Sequence, residues 1–151
     1  MLNRNIGNAG EFYVLAQLAQ RGYIAGKTDD GQTLIDIIAT NPSSLKAINI
    51  QVKTTKYEKA QWWMMSKKNE KAFESLWYVL VKLSGTECQP IFYMFHSSEV
   101  GPWLENDHKQ WLKSPKTNGD PRKDTDMRKF RPTTEQLMKA KDQWDRMFLD
   151  H

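Results

Sequence analysis

The 151 residues contain a single cysteine, Cys88. No disulfide can form within the chain, and a zinc site built on several cysteines is excluded. Nothing around Cys88 marks it as an activated nucleophile, and it reads as a small residue beside a turn. The three histidines, His96, His108 and His151, show no ligand spacing. No apolar run approaches the roughly 20 residues of a membrane span, and the opening MLNRNIGNAGE lacks the basic-then-apolar pattern of a secretion signal. A cytoplasmic location is the expectation. Internal repeats and low-complexity tracts are also missing.

What is there is balanced. Hydrophobic residues make up 39% and charged residues 26%, the composition of a globular domain in water. The length suits one domain, 1–151, with a sizeable core. A net charge of +4 gives mild support to a polyanionic partner and fixes nothing more.

Apolar spacing predicts a first helix from Asn8 to Gly22, with Phe12, Leu15, Ala16, Leu18 and Ala19 turned inward, Asn8 as cap and Gly22 in the left-handed turn that ends it. Tyr23 and Ile24 begin a short edge strand, and Lys27 to Thr33 reads as a loop. Leu34 to Thr40 is apolar and rich in isoleucine except at Asp36, and Asn41-Pro42-Ser43-Ser44 is a turn. Lys46 to Lys53 alternates, Ile48, Ile50 and Val52 against Asn49, Gln51 and Lys53, which makes a strand with one buried face. Thr54 to Ala60 reads as a loop, Trp62 to Met65 as a short apolar strand or loop, and Ser66 as the cap of a short helix through about Ser75. Trp77 to Leu83 and Pro90 to His96 are β-rich, joined by a hairpin connection. A helical pattern resumes at Ser97 with Val100, Trp103, Leu104 and Trp111. Lys113 to Pro132, with its prolines and charges, reads as a long surface loop. Thr133 with Gln136 opens a C-terminal helix whose stripe is Leu137, Ala140, Trp144, Met147 and Phe148. The order of elements gives a mixed α/β domain.

Four positions stand out chemically. Asp36 interrupts an apolar strand, where a carboxylate is costly unless it is paired, protonated or metal-bound; a frayed strand end or a structural lysine pair explains it equally well. Gln51 and Lys53, two apart on a strand, point to one face, and an antiparallel neighbour through the Asn41 turn brings Asp36 toward them. An acid, an amide oxygen and a lysine in one place suit phosphodiester cleavage, which uses oxygen ligands for a hard cation and a positive group near the attacking water. The bland alternative is a solvated strand face. Glu11 shares the stripe of Leu15 and Leu18, but Asn8-x-x-Glu11 is also a capping-box pattern. Asp29 and Asp30 read as a turn. The basic run Lys113, Lys116, Arg122, Lys123, Arg128, Lys129 and Arg131 fits a phosphate backbone or a solvated loop equally well. Trp62, Trp63, Trp103 and Trp111 suit core packing better than base stacking.

Gly10-Glu11 opening a helix, Gly22-Tyr23 closing it, Ile35-Asp36-Ile37-Ile38, and Ile50-Gln51-Val52-Lys53-Thr54 together resemble the core of the PD-(D/E)xK nuclease superfamily, with the spacing of archaeal Holliday-junction resolvases and Mrr-type restriction endonucleases. The resemblance covers Gly7 to Lys56. It implies a restriction-endonuclease-like mixed β-sheet flanked by helices, here with extra C-terminal helices. It also implies a Mg2+- or Mn2+-dependent endonuclease acting on double-stranded or branched DNA, with a homodimer common in such families. Asp36 matches the central metal ligand, Lys53 the lysine that orients the attacking water, and Glu11 the first-helix acid of several branches. The Val52 carbonyl is the further metal donor. Gln51 stands in the (D/E) position, and that is the departure: its amide oxygen binds a metal without adding charge. A binding module on the same fold without catalysis, and a structural or assembly protein whose tryptophans serve a partner, remain open beside the nuclease reading.

Overall fold

The computed structural model describes residues 3–29, 34–56 and 61–149; Asp30, His151 and the loop readings over 30–33 and 57–60 lie outside them. The first helix, α1, spans Asn3–Gln20, so it starts at Asn3 and not at Asn8. Its buried positions are Ile6, Gly10, Val14 and Leu18. This stripe turns on a glycine, which a count of apolar residues passes over. Phe12, read from the sequence as inward, is 60% exposed, with the Lys27 ammonium 4.6 Å from its ring centre. The helix ends as its composition predicts. Gly22 has φ 86°, and the Gly22 and Tyr23 amides donate to the Ala19 and Leu18 carbonyls at 3.1 and 3.0 Å, satisfying two carbonyls that would otherwise lack partners.

Among the described residues seven strands follow in chain order: β1 (Ile24–Lys27), β2 (Ile37–Thr40), β3 (Ala47–Thr55), β4 (Trp63–Ser66), β5 (Leu76–Lys82), β6 (Ile91–His96) and β7 (Met127–Phe130). Five form a mixed sheet in the order β1-β2-β3-β5-β6, and β4 with β7 forms a separate two-stranded ribbon. β3 lies at the centre, antiparallel to β2 and parallel to β5. The β2–β3 turn is built by Asn41, whose side chain accepts from the Ser43 amide at 2.9 Å, and by Leu45 at φ 60°.

Two cores cover the two faces of the sheet. The first joins Val14 and Leu18 of α1 to Ile37, Ala39, Ile48, Ile50, Val52 and the C-terminal Trp144, Met147 and Phe148. The second joins Tyr78 and Leu80 of β5 to Trp63, Met65 and Phe130 of the ribbon, to Val100 and Leu104 of α2 (Ser97–Lys113), and to Leu137 and Ala140 of α3 (Thr134–Ala140). This division corrects the single C-terminal helix. Leu137 and Ala140 belong to one face of the sheet while Trp144, Met147 and Phe148 belong to the other, so the chain must leave the helix to cross the edge. It does so at Asp142, φ 54°, whose amide donates to the Phe92 carbonyl at 3.0 Å. A 3-10 turn, Asp145–Phe148, follows.

Other readings are corrected on similar grounds. The segment read as a long loop over 113–132 contains β7, a strand fixed by pairing with β4. β2 begins at Ile37, and Ile38 on its second face is 48% exposed, so Asp36 does not lie within a strand buried on both sides. β3 runs on to Thr55, and on its second face Gln51 and Thr55 are buried, 8% and 7% exposed, with Asn49 and Lys53 part-buried. The helix capped by Ser66 is one 3-10 turn, Lys67–Glu70. Cys88 is exposed, in the connection between β5 and β6.

α1 approaches β3 through Gly10. A Cβ placed there would meet Thr54 Oγ1 at 1.9 Å. The absence of a side chain at Gly10 therefore sets the distance between the first helix and the strand that carries Gln51 and Lys53.

Candidate functional site

Asp36 occupies a bend immediately before β2, where the sheet opens. Its main chain is fastened on both sides: its amide donates to the Ile50 carbonyl at 2.8 Å, and its carbonyl accepts from the Thr28 amide at 2.9 Å. Its carboxylate Oδ2 accepts from the Val52 amide at 2.7 Å. A side chain thus takes the place a neighbouring strand's carbonyl would fill. A residue's amide and carbonyl face the same edge of a strand, so the Val52 carbonyl points into the same opening.

Burial pushes the Asp36 carboxyl up from 3.8 to about 6; the Val52 hydrogen bond opposes this, the Glu11 charge adds to it, and Lys53 and Lys27 oppose it. Glu11, Lys53 and Lys27 therefore all lie within electrostatic reach of Asp36. Burial lowers the proton affinity of Lys53, against the pull of Asp36. A carboxyl with raised proton affinity beside an amine with lowered proton affinity is the pattern of a polar site kept partly dry.

Glu11 is far from the start of α1 and caps nothing. Its Oε2 pairs with Lys27 Nζ at 2.8 Å, with side-chain exposures of 16% and 22%. The capping alternative is removed by the four-residue register that continues back to Ile6. Gln51 leaves strand β3 on the face it shares with its β5 neighbour Tyr78. Its Oε1 accepts from Asn69 Nδ2 at 2.7 Å, and the same Asn69 nitrogen donates to the Tyr78 hydroxyl at 3.0 Å. Asn69 is fully buried, and its Oδ1 accepts from the Ser66 amide at 2.8 Å. Asp36, Lys53 and Glu11 thus form one electrostatic group, while Gln51 is turned into a buried amide network beside it.

Two contributors escape a reading of the sequence. Lys27 has no signal beyond being a cation near a predicted edge strand. Asn69 has one: Ser66-x-x-Asn69 has the spacing of a reciprocal cap. The histidines have local tasks. His96 caps α2, and His108 Nε2 meets Asp124 Oδ1 at 2.7 Å. Trp63 is buried core, 1% exposed. Arg128, read with the basic run, is instead 5% exposed and paired with Glu70 at 2.8 Å.

The donors around Asp36 are oxygens: its own carboxylate, the Glu11 carboxylate and the Val52 carbonyl. That set suits a hard cation which keeps several waters. Among the described residues no three of His, Cys, Asp and Glu converge, so water would complete the coordination.

No protein-family model matches the chain, and no curated protein matches it in sequence. Among solved structures it is similar to a bacterial homing endonuclease, I-Ssp6803I, with a TM-score of 0.54 at 11% identity over 97% of this chain and 92% of that one. The fold is therefore the mixed, helix-flanked sheet seen in an endonuclease. Among the described residues no helix is long and apolar enough to cross a membrane.

Proposed function

We propose that the chain is a Mg2+- or Mn2+-dependent endonuclease of the PD-(D/E)xK kind, acting on DNA as a single domain. The carrying observation is Asp36: a carboxylate fixed at the open end of the sheet by the Val52 amide, raised to about 6 by burial, and coupled to Glu11 and Lys53. The Glu11 charge adds to the rise at Asp36, and a divalent cation between the two acids would relieve it. Asp36 and Glu11 would hold it, with the Val52 carbonyl and the Gln51 oxygen as supplementary donors. Such an ion supplies charge stabilisation to a phosphoryl oxygen when bound. Lys53 would orient the attacking water toward phosphorus and stabilise the charge that develops on the phosphoryl oxygens.

The alternative is a DNA-binding module without catalysis. It draws on the Gln51–Asn69 bond, which gives the amide oxygen a structural task. Incubation of supercoiled plasmid with Mn2+, with chelator and Lys53→Ala controls, decides between them. Nicked or linear product from wild type alone supports the nuclease. Retarded but intact plasmid with every divalent ion leaves the binding module.

A further inference from the structure

We infer that the two-stranded ribbon β4–β7 is the element that enters a groove of duplex DNA. The inference rests on the nuclease reading for its partner and goes beyond it in assigning the contact surface. The ribbon lies outside the five-stranded sheet, and its two sides are unlike. One side carries Trp63, Met65, Arg128 and Phe130, all buried. The other presents Met64 opposite Lys129 and Ser66 opposite Met127. Met64 is 49% and Met127 51% exposed. Lys129 is exposed as well, with its ammonium 4.8 Å from the ring centre of Trp62.

Charge identifies the occupant. Gln61 to Lys68 and Met127 to Arg131 contain five cations, Lys67, Lys68, Arg128, Lys129 and Arg131, and no acid. Arg128 is occupied by Glu70 and Arg131 by Asp107. Lys67 and Lys68 are exposed in the 3-10 turn that begins where β4 ends. Among the described residues neither they nor Lys129 is paired with a carboxylate. Asp126 adjoins Lys67 and Lys68, so the surface is positive on balance, and three exposed lysines without a carboxylate partner among the described residues suit the continuous negative charge of a nucleic-acid backbone. The major groove of B-DNA admits a two-stranded ribbon. Exposed methionines are suited to apolar contact with base edges of varied shape.

Position supports the assignment. Tyr78 and Leu80 belong to the core that packs the ribbon onto the sheet, and their β3 register partners are Gln51 and Lys53. The ribbon therefore stands on the face of the sheet that carries Lys53. Its Ser66 end is joined to Gln51 through Asn69. Arg128–Glu70 locks β7 to the same turn, and Gly101 of α2 packs so closely that a Cβ would lie 2.3 Å from the Glu70 carbonyl oxygen. The lysines are thus presented by a rigid support fixed to the candidate site.

The test is fluorescence anisotropy with a labelled duplex of about 30 base pairs and mixed sequence, long enough for several turns of groove, in chelator and across a salt series. A Lys67→Ala, Lys68→Ala, Lys129→Ala triple is compared with a Lys109→Ala, Lys139→Ala, Lys141→Ala triple that removes equal charge elsewhere. The ribbon triple is expected to weaken binding at least tenfold and to flatten the salt slope by about three, with an unchanged melting temperature. The second triple should do much less. Lys129→Arg should bind as wild type. Equal losses from the two triples, or no loss from the ribbon triple, overturn the inference. So does loss of self-association in sedimentation with DNA binding intact, which would make the ribbon an interface between copies. Plasmid cleavage is scored separately. Ribbon-dependent binding without cleavage would sink the nuclease reading and keep the ribbon; cleavage with ribbon-independent binding would do the reverse.

Discussion

Replacing Asp36 by asparagine should make the metal-free protein more stable at neutral pH, although it removes the residue around which the site is built. The Val52 amide keeps an acceptor, because the amide oxygen of the substituted side chain can take over the bond that Oδ2 now makes at 2.7 Å. What disappears is a charge that folding disfavours. A carboxyl that moves from 3.8 to about 6 on folding binds its proton more tightly in the folded chain. Its folded state is favoured below 3.8 and loses that advantage as pH rises through 6. The full displacement corresponds to about 3 kcal/mol above pH 7. Asp36 is only partly shielded from solvent, so screening reduces this to roughly 1–2 kcal/mol. For a chain of this size that is about 2–8 °C in melting temperature. Thermal melts of both proteins in chelator, from pH 4 to pH 8, should show a gap in favour of the Asp36→Asn variant that opens as pH rises from about 4 to 6 and stays at full size above it. With millimolar Mn2+ at pH 8 the order should narrow or reverse, because only the wild type gains by binding. A variant less stable than wild type at pH 8, or a gap independent of pH, would refute the electrostatic account of Asp36. No response of the wild type to metal would remove the cation.

Gly10→Ala, ordinarily worth about 1 kcal/mol to a helix interior, should here lower stability by about 1–3 kcal/mol in urea unfolding because its Cβ meets Thr54 Oγ1 at 1.9 Å. Adding Thr54→Ala should recover most of that loss. Gln51→Glu places a carboxylate at a position 8% exposed, so its melting temperature should fall in chelator and recover with Mn2+ if the new oxygen reaches a bound ion. Arg128→Ala leaves Glu70 without the partner it meets at 2.8 Å and should cost about 3–5 kcal/mol in denaturant unfolding. Arg128→Lys should restore less than half, since one ammonium cannot also reach the Thr125 and Met127 carbonyls that Nη1 contacts.

The parts of the fold legible in the sequence are those fixed by neighbours along the chain. The β2–β3 pair is set by alternation in Ile48, Ile50 and Val52 together with the Asn41 turn, and β5–β6 by two β-rich runs about a short connection. The end of α1 is written in Gly22. The elements that the sequence hides depend on distant partners. Met127–Phe130 is four residues in a charged stretch and becomes a strand only against Trp63–Ser66. The stripe from Leu137 to Phe148 has helical spacing, but its two halves serve opposite faces of the sheet. Periodicity records which residues are buried and carries no information about which core receives them.

The same distinction separates the two halves of the candidate site. Asp36, Gln51 and Lys53 are visible because a polar residue in an apolar strand is costly, and two residues on one strand face are a matter of period alone. Their partners are not, since Lys27 reaches Glu11 from an edge strand and Asn69 reaches Gln51 from a turn, and both contacts exist only once the sheet has formed. These partners change what the residues can do. Gln51 shares its oxygen with Asn69, so it can contribute to a cation only through its remaining lone pair, and any charge the cation meets must come from Asp36 and Glu11. Glu11 in turn is held by Lys27, whose ammonium sits where a cation would compete for the carboxylate. Binding a divalent ion there means displacing or sharing Lys27. Metal affinity should therefore rise in Lys27→Met, as read by calorimetric titration of Mn2+, while the Asp36 carboxyl, deprived of one opposing positive charge, should hold its proton still more tightly in the absence of metal.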